Sequence, residues 1–187
     1  PPEAPPPAPA PPPAPATAPT RARAHLWSAD SSRVVVIRDT PGLLVRRRDG
    51  RDDRELGGLA RPATAVAISR DGARIAAVAG PLLLWSIERP DAPTVLDADP
   101  GDMDHLEFDR DGARLLGTGP TVAAIWSTAG DRAPTLLGGG LLGTVSWARF
   151  TPDGQRVAFD RLREGGTIPS PGRDAPHPAS PPPVPAS

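Results

Sequence analysis

The chain has 187 residues, of which 28 are proline and 19 glycine, and proline is concentrated at both ends, which leaves room for about one folded domain. All 21 basic residues are arginine, and the lack of lysine excludes a phosphate-binding P-loop, a Schiff-base enzyme and a kinase site. The lack of cysteine excludes thiol catalysis and disulfides, and a net charge of −1 provides no field that would attract nucleic acid or an anionic membrane.

Both ends have the composition of disordered spacers. Residues 1–20 contain only proline, alanine, threonine and one glutamate, so they cannot bury enough apolar surface to offset the entropy lost on ordering. Residues 165–187 have the same character and are predicted to be a disordered tail. A PxxP ligand in either arm is the alternative to a plain spacer.

The segment between the arms repeats one pattern four times. In each copy a large apolar residue lies three positions before a turn aspartate, and an aliphatic residue lies four positions after it. The aspartates are Asp30, Asp71, Asp111 and Asp153, which are 41, 40 and 42 residues apart. A period of about 40 residues is typical of four-stranded β-propeller blades.

Each copy begins with a predicted β-hairpin. Gly72, Gly112 and Gly154 follow the turn aspartate in three copies and can adopt the positive φ that such a turn requires, whereas Ser31 takes this place in the first copy. The first hairpin is therefore predicted either to be strained by about 1 kcal/mol or to use a different turn.

Two further strands are predicted in each copy. The third is clearest at 82–86 and 122–127 and poorer at 42–45, and the fourth recurs at 93–96 and 134–137. The sequence predicts an all-β fold, an incomplete β-propeller of three to four four-stranded antiparallel blades, within residues 21–164. The predicted blades are 24–60, 61–101, 102–142 and a partial blade at 143–160.

The segments Leu84-Trp85-Ser86 and Ile125-Trp126-Ser127 end a third strand that follows a hairpin of the form apolar-x-Phe-Ser/Thr-x-Asp-Gly. These repeats resemble bacterial WD40-like propeller repeats over residues 24–160, and a TolB-like propeller is a close alternative. The copies differ from WD40 repeats in lacking Gly-His before the first strand and an aspartate before the tryptophan strand. Ser86 and Ser127 also replace the aspartate of Trp-Asp, which argues against the buried His-Asp-Ser-Trp network of that family.

Several clusters resemble ligand sites but have simpler interpretations. The segment 138–143 matches GxGxxG, yet a strand-like sequence follows it in place of the helix that would receive a pyrophosphate, so a loop between blades is predicted. Asp97, Asp99, Asp102 and Asp104 lack the glycine and glutamate of a calcium-binding EF-hand loop and are predicted to be solvated.

The arginines are also interpreted as structural. Arg33, Arg74, Arg114 and Arg156 each follow a turn aspartate by three positions, and a residue present in every repeat is expected to serve the blade by local pairing or rim solvation. Arg46, Arg47 and Arg48 lie close to aspartates that neutralise them. No catalytic, cofactor-binding or metal-binding residue is predicted, and no cofactor.

The predicted function is that of a non-catalytic protein-interaction scaffold. The alternatives are a sensor propeller in a multidomain bacterial signalling protein such as a Ser/Thr kinase, and an accessory propeller of a peptidase. Propellers commonly bind through loops at one end of the ring, here 57–64, 97–104, 138–145, 79–81 and 117–121. Neither nucleic acid nor membrane insertion is expected, and the cellular compartment is left open.

The fourth copy is predicted to stop after its second strand near Asp160, because Gly165, Gly166 and the following prolines would interrupt a further ladder. The chain, interpreted as a piece of a longer polypeptide, is then expected to form an open arc. Its end faces would self-associate or pair with missing blades.

Overall fold

The computed structural model describes residues 22–97, 99–120, 122–137, 145–161 and 165–169, and both proline-rich arms up to residue 21 and beyond residue 169 lie outside this part. The described residues form four antiparallel sheets, each arranged in chain order, and none of them forms a helix that could cross a bilayer. The all-β, incomplete propeller predicted from the sequence is confirmed.

The sheets are the blades. Blade 1 consists of β1 (Ala22–Trp27), β2 (Arg33–Arg38), β3 (Leu43–Arg47) and β4 (Asp53–Leu56). Blade 2 consists of β5 (Ala65–Ile68), β6 (Arg74–Val78), β7 (Leu82–Ser86) and β8 (Arg89–Asp97). Blade 3 consists of β9 (His105–Phe108), β10 (Arg114–Thr118), β11 (Ala123–Ser127) and β12 (Thr135–Leu136). Blade 4 consists of β13 (Val145–Phe150), β14 (Arg156–Arg161) and β15 (Gly165–Pro169).

The prediction that no strand follows Arg161 is wrong. Strand β15 pairs with β14 from Gly165 opposite Asp160 to Pro169 opposite Arg156, so blade 4 has three strands in the described residues. A strand at the edge of a sheet has one unpaired side, which accommodates a proline that lacks an N–H, and Thr167 and Ile168 favour extended backbone. The domain boundary at residue 164 stays a prediction, although a strand begins directly after it.

The first hairpin of each blade is held by its turn residues. In blade 2 the Ser69 hydroxyl donates to Asp71 over 2.6 Å and accepts the Arg74 N–H over 2.9 Å. The carboxylate of Asp71 accepts the Ala73 N–H, and Gly72 lies at φ +67. Ser28 and Asp30 in blade 1, and Thr151 and Asp153 in blade 4, repeat the hydroxyl–carboxylate pair. These turn contacts depend on local sequence alone, which explains why the hairpins were predictable.

Ser31 adopts the strained form of the turn. Its φ is 58, and its N–H donates to the Ser28 carbonyl over 2.9 Å, as the glycine of the other copies does with its own partner. Ser31→Gly is therefore expected to stabilise the domain by up to about 1 kcal/mol, because glycine takes a positive φ without a steric penalty.

The neighbouring Ser32 provides a matched control, since its φ is not positive. Ser32→Gly should lower stability slightly through the added entropy of the unfolded chain. Urea unfolding of both variants measures the difference, and an Ser31→Gly midpoint at or below that of Ser32→Gly would contradict the prediction.

Three apolar cores join successive blades. The first lies between blades 1 and 2, the second between blades 2 and 3 and the third between blades 3 and 4. Among the described residues no core and no strand ladder joins blade 4 back to blade 1. The blades therefore form an arc with two uncovered end faces.

The tryptophans that end the third strands of blades 2 and 3 are buried, Trp85 at 0% and Trp126 at 2% exposure. The Trp85 indole N–H donates to the Gly57 carbonyl over 3.1 Å, and that of Trp126 to the Asp97 carboxylate over 3.0 Å. Both acceptors follow or end the last strand of the preceding blade. Each indole thus links its own blade to the one before it.

Candidate functional site

A concave groove runs along the inner strands of the blades. Its volume is about 730 Å³, and it takes residues from β1, β5, β9 and β13 and from the turns that follow them. The apolar wall is formed by Leu26, Trp27, Ala67, Ile68, Leu106, Phe108, Phe150 and Pro152. The charged and polar lining includes Arg70, His105, Glu107, Arg110 and Arg149. We call this the inner groove.

The inner groove extends to the end of the blades that carries the first-hairpin turns. In blade 2 the start of β5 pairs with the end of β6, Ala65 opposite Val78, so the connections 57–64 and 79–81 lie at the opposite end from the turn at 69–73. The groove takes no lining residue from these connections or from the described parts of 97–104 and 117–121. The loops predicted from the sequence as binding elements therefore do not form this groove, and 138–144 lies outside the described residues.

Trp27 is the most exposed aromatic group of the groove. It ends β1 opposite Val34, and 54% of its surface is exposed. Residues at the same place in later blades are more covered, because Ile68 and Phe108 pack in the blade–blade cores. Phe150, also half-buried, lies 5.3 Å by its ring centroid from the Arg114 guanidinium. An exposed indole beside apolar strands is a natural anchor for an apolar ligand side chain.

Two arginines of the groove have no side-chain partner in the part of the chain that the structure describes. Arg70 and Arg110 each precede a turn aspartate in blades 2 and 3, both are exposed, and neither forms a hydrogen bond or ion pair with another described residue. Sequence reasoning missed them because it followed the arginines that recur in every copy. The signal was their restriction to blades 2 and 3, where blades 1 and 4 have Ala29 and Pro152.

A carboxylate, that of Glu107, and an imidazole, that of His105, also line the groove. Glu107 is half-buried and accepts the Phe150 N–H over 3.3 Å, while the Nε2 atom of His105 is buried without a hydrogen-bond partner among the described residues. Burial raises the pKa of the Glu107 carboxyl above its ordinary value, and the Phe150 amide and the positive charge of Arg149 offset that effect only in part.

Glu107→Gln is expected to make the protein more stable than the parent at pH 7. Because the folded pKa is raised, the ionised carboxylate destabilises the native state above that pKa, and this cost disappears as the pH falls to the ordinary value. Glutamine keeps an acceptor for the Phe150 N–H and carries no charge. Urea midpoints of the two proteins should therefore converge on acidification.

The control is Glu55→Gln, since Glu55 is exposed and paired with Arg38 at 2.9 Å. This variant should gain no stability at pH 7. A parent protein more stable than Glu107→Gln at neutral pH would contradict the assignment of burial as the dominant effect.

Three of the four arginines that recur in every copy connect neighbouring blades. Arg33 donates to the Gly72 carbonyl over 3.2 Å, and Arg74 and Arg114 donate to the carbonyls of Gly112 and Gly154. These three side chains bind backbone carbonyls and so serve the blades, as expected. Their pairing is nevertheless not local to one blade, because each bond crosses to the next.

The remaining clusters have structural roles where they are described. Asp97 accepts the Trp126 indole, whereas Asp99, Asp102 and Asp104 are exposed. Arg46 pairs with Asp53 over 2.6 Å, and Arg47 with Asp49 over 3.7 Å, so charges at this hairpin end are neutralised nearby. The described residues contain no group of three or more acidic or histidine side chains arranged to hold a metal. His177 and the segment 138–143 lie outside the described part.

Comparison with known proteins gives a fold and no family. Neither a family model nor a curated protein matches the chain. Among solved structures, the chain is similar to the β-propeller domain of Swd1 (Cps50) from Myceliophteria thermophila, with a TM-score of 0.65 and 10% sequence identity over 79% of this chain. The match spans 52% of the Swd1 chain, about half its length. The fold of the described residues is therefore that of part of a β-propeller.

Proposed function

We propose that the chain is a non-catalytic scaffold that binds an extended, acidic peptide segment of a partner protein in the inner groove. The observation that supports this most directly is the combination of an exposed Trp27 with two arginines, Arg70 and Arg110, that have no partner among the described residues. A groove of about 730 Å³ is large enough for several side chains. A groove that presents an exposed aromatic side chain and arginines on other blades favours a peptide with an apolar side chain and carboxylates.

Two settings remain proposals. The first is a sensor or regulatory propeller of a multidomain bacterial signalling protein such as a Ser/Thr kinase, and the second is an accessory propeller of a peptidase. Both would use the same groove to bind a protein segment. The bacterial origin itself rests on the abundance of alanine, arginine, glycine and proline and the lack of lysine, asparagine and tyrosine.

We also propose that the uncovered faces of blades 1 and 4 bind further blades, either from the same polypeptide or from another copy. Each end exposes a tryptophan, Trp27 at 54% and Trp147 at 45%. Exposed aromatic groups on uncovered faces of a repeat array favour such association.

The test of groove binding is selection from a random peptide library displayed on phage, with the full chain as bait. Enriched peptides should be acidic with one large apolar residue, and their affinity should fall about ten-fold or more for Arg70→Glu with Arg110→Glu, which corresponds to at least about 1.4 kcal/mol. Trp27→Ala should have a similar effect. Binding should weaken with added salt.

Arg89→Glu is the matched control, because Arg89 is an exposed arginine on the outer strand β8, away from the groove. This charge reversal should leave peptide affinity unchanged. Enrichment of no peptide, or peptides that bind all the variants equally, would overturn the proposed groove function.

A further inference from the structure

A hydrogen bond between an arginine and a turn carbonyl repeats at every described junction between blades. Arg33 of blade 1 binds the Gly72 carbonyl of blade 2 over 3.2 Å, and Arg74 binds that of Gly112 in blade 3 over 2.5 Å. Arg114 binds the carbonyl of Gly154 in blade 4 over 2.7 Å. Bonds to a charged donor are stronger than neutral ones. The same contact therefore fixes each blade against the next.

The turn glycine also leaves room for this arginine. A Cβ atom placed on Gly72 would lie 3.3 Å from Cδ of Arg33, and one on Gly154 would lie 3.5 Å from a guanidinium nitrogen of Arg114. The arginine side chain thus lies across the turn of the following blade. The arginine donor lies on one blade and the acceptor turn on the following blade, so the contact has the same direction along the chain at each junction.

Among the described residues, the arginine donor at one end of the arc has no acceptor, and the turn carbonyl at the other end has no donor. Arg156 begins β14 in blade 4, and its exposed guanidinium donates no hydrogen bond to a described residue. Ser31 holds the acceptor position in blade 1, where its φ of 58 matches the turn glycines and its carbonyl accepts no hydrogen bond from the described residues. The donor end and the acceptor end therefore belong to the same chain.

The uncovered face of blade 1 repeats the faces that receive a preceding blade. In blade 2 that face carries Ile68, Ile75 and Leu83, which pack against blade 1. Blade 1 carries Trp27 opposite Val34, and Val36 opposite Leu44, at the matching positions. The apolar pattern is preserved: Trp27 is exposed and Val36 and Leu44 are partly exposed, whereas Val34 is already buried.

The outer part of this face, on β3 and β4, carries charged residues. Arg46 lies opposite Val34 in the register where Trp85 lies opposite Ile75. It donates three hydrogen bonds to the Asp53 carboxylate, two from Nε and one from Nη2. An ion pair of this kind limits burial to the inner half of the face, since desolvating both charges is costly. A face that carries both apolar residues and an ion pair suits an interface between two separately folded chains better than the permanent core of one domain.

We propose that the partner is a second copy of this chain, joined head to tail, with Arg156 of each copy bound to the Ser31 carbonyl of the other. This rests on the end-face association proposed above, and Trp27 belongs both to this face and to the inner groove. Because donor and acceptor lie at opposite ends of the chain, two copies related by a two-fold axis make this contact twice, and the two contacts close a ring of eight blades. Propellers of about four to eight blades are common.

The first measurement is sedimentation velocity of the full chain over a range of concentrations. A two-copy species is expected. Arg156→Ala should shift the association midpoint to a higher concentration by about ten-fold or more, which corresponds to at least about 1.4 kcal/mol, and Arg156→Lys should restore part of it. Arg89→Ala, an exposed arginine on β8, should associate like the parent, and circular dichroism should show that all four proteins are folded.

The second measurement tests the head-to-tail arrangement by mixing. Ser31→Arg blocks the acceptor with a like charge, so neither Ser31→Arg nor Arg156→Ala should associate with itself as the parent does. Their mixture retains one intact contact, between Arg156 of the first variant and Ser31 of the second, and should recover pairing between unlike copies.

A chain that remains monomeric at every concentration overturns the proposal, as does equal association of Arg156→Ala and Arg89→Ala. Open-ended oligomers overturn the closed ring. Absence of recovery in the mixture overturns the head-to-tail contact. Peptide binding in the groove is measured separately, so its success or failure does not decide this result.

Discussion

Trp126→Ala is expected to lower the free energy of unfolding by about 3–5 kcal/mol, the range for removing a fully buried aromatic side chain. The ring of Trp126 is 2% exposed and packs in the core between blades 2 and 3. The Trp126 ring packs tightly against Gly117, because a Cβ atom added to this glycine would lie 2.8 Å from Cζ3 of the ring. The variant also removes the indole bond to Asp97. Trp85→Ala should behave alike in the first core.

The control for these variants is Trp27→Ala. Trp27 is 54% exposed at the open end of the arc, so its removal should cost clearly less than either core tryptophan. Urea unfolding followed by circular dichroism measures all three proteins. Equal shifts for Trp27 and Trp126, or an unmoved midpoint for Trp126→Ala, would contradict the assignment of the core.

Arg114→Leu is expected to destabilise the protein by about 3–5 kcal/mol, because it leaves a buried carboxylate without its cation. Blade 3 has Asp109 where the other blades have a hydroxyl, and this residue is 3% exposed. Asp109 accepts the Arg114 Nε–H over 2.9 Å and also the N–H groups of Ala113 and Arg114. The leucine variant further removes the link to the Gly154 carbonyl.

The Asp109→Ser variant separates the cost of the unpaired carboxylate from the loss of the bond to the Gly154 carbonyl. Blade 2 shows that a serine followed two positions later by an aspartate holds the same turn, and Asp111 lies at the matching place in blade 3. In the double variant no buried carboxylate remains, so part of the loss caused by Arg114→Leu should be recovered. Simple addition of the two single effects in urea unfolding would show that the buried charge is not the cause.

The turns and the repeat were predictable because they depend on short-range contacts. The hydroxyl, aspartate and glycine of each first hairpin satisfy one another within five residues, as the bonds among Ser69, Asp71 and Arg74 show. The burial of Trp85 and Trp126 was predictable for a related reason, since each ends an apolar strand at the same place in its copy. Ser31 was identified as an exception by its residue type alone, and its φ of 58 agrees with that interpretation.

Strand β15 shows where local reasoning failed. Gly165 and Gly166 weaken a strand by their own propensity, but an unpaired side of β14 supplies a ladder that compensates for it. Whether such a ladder is available depends on the edge that the preceding strands leave free. That edge exists only after the sheet has formed.

By itself, the sequence determined the all-β class, the period of about 40 residues, the hairpin turns and the core tryptophans, because these follow from periodicity and turn chemistry over a few residues. Only the tertiary structure decided which groups meet across blades: the bond from Arg74 to the Gly112 carbonyl joins positions 38 residues apart, and the groove brings Trp27 near Arg70 and Arg110. Such contacts depend on how one blade is rotated against the next. That rotation is set by packing of whole sheets and is encoded in no single copy of the repeat.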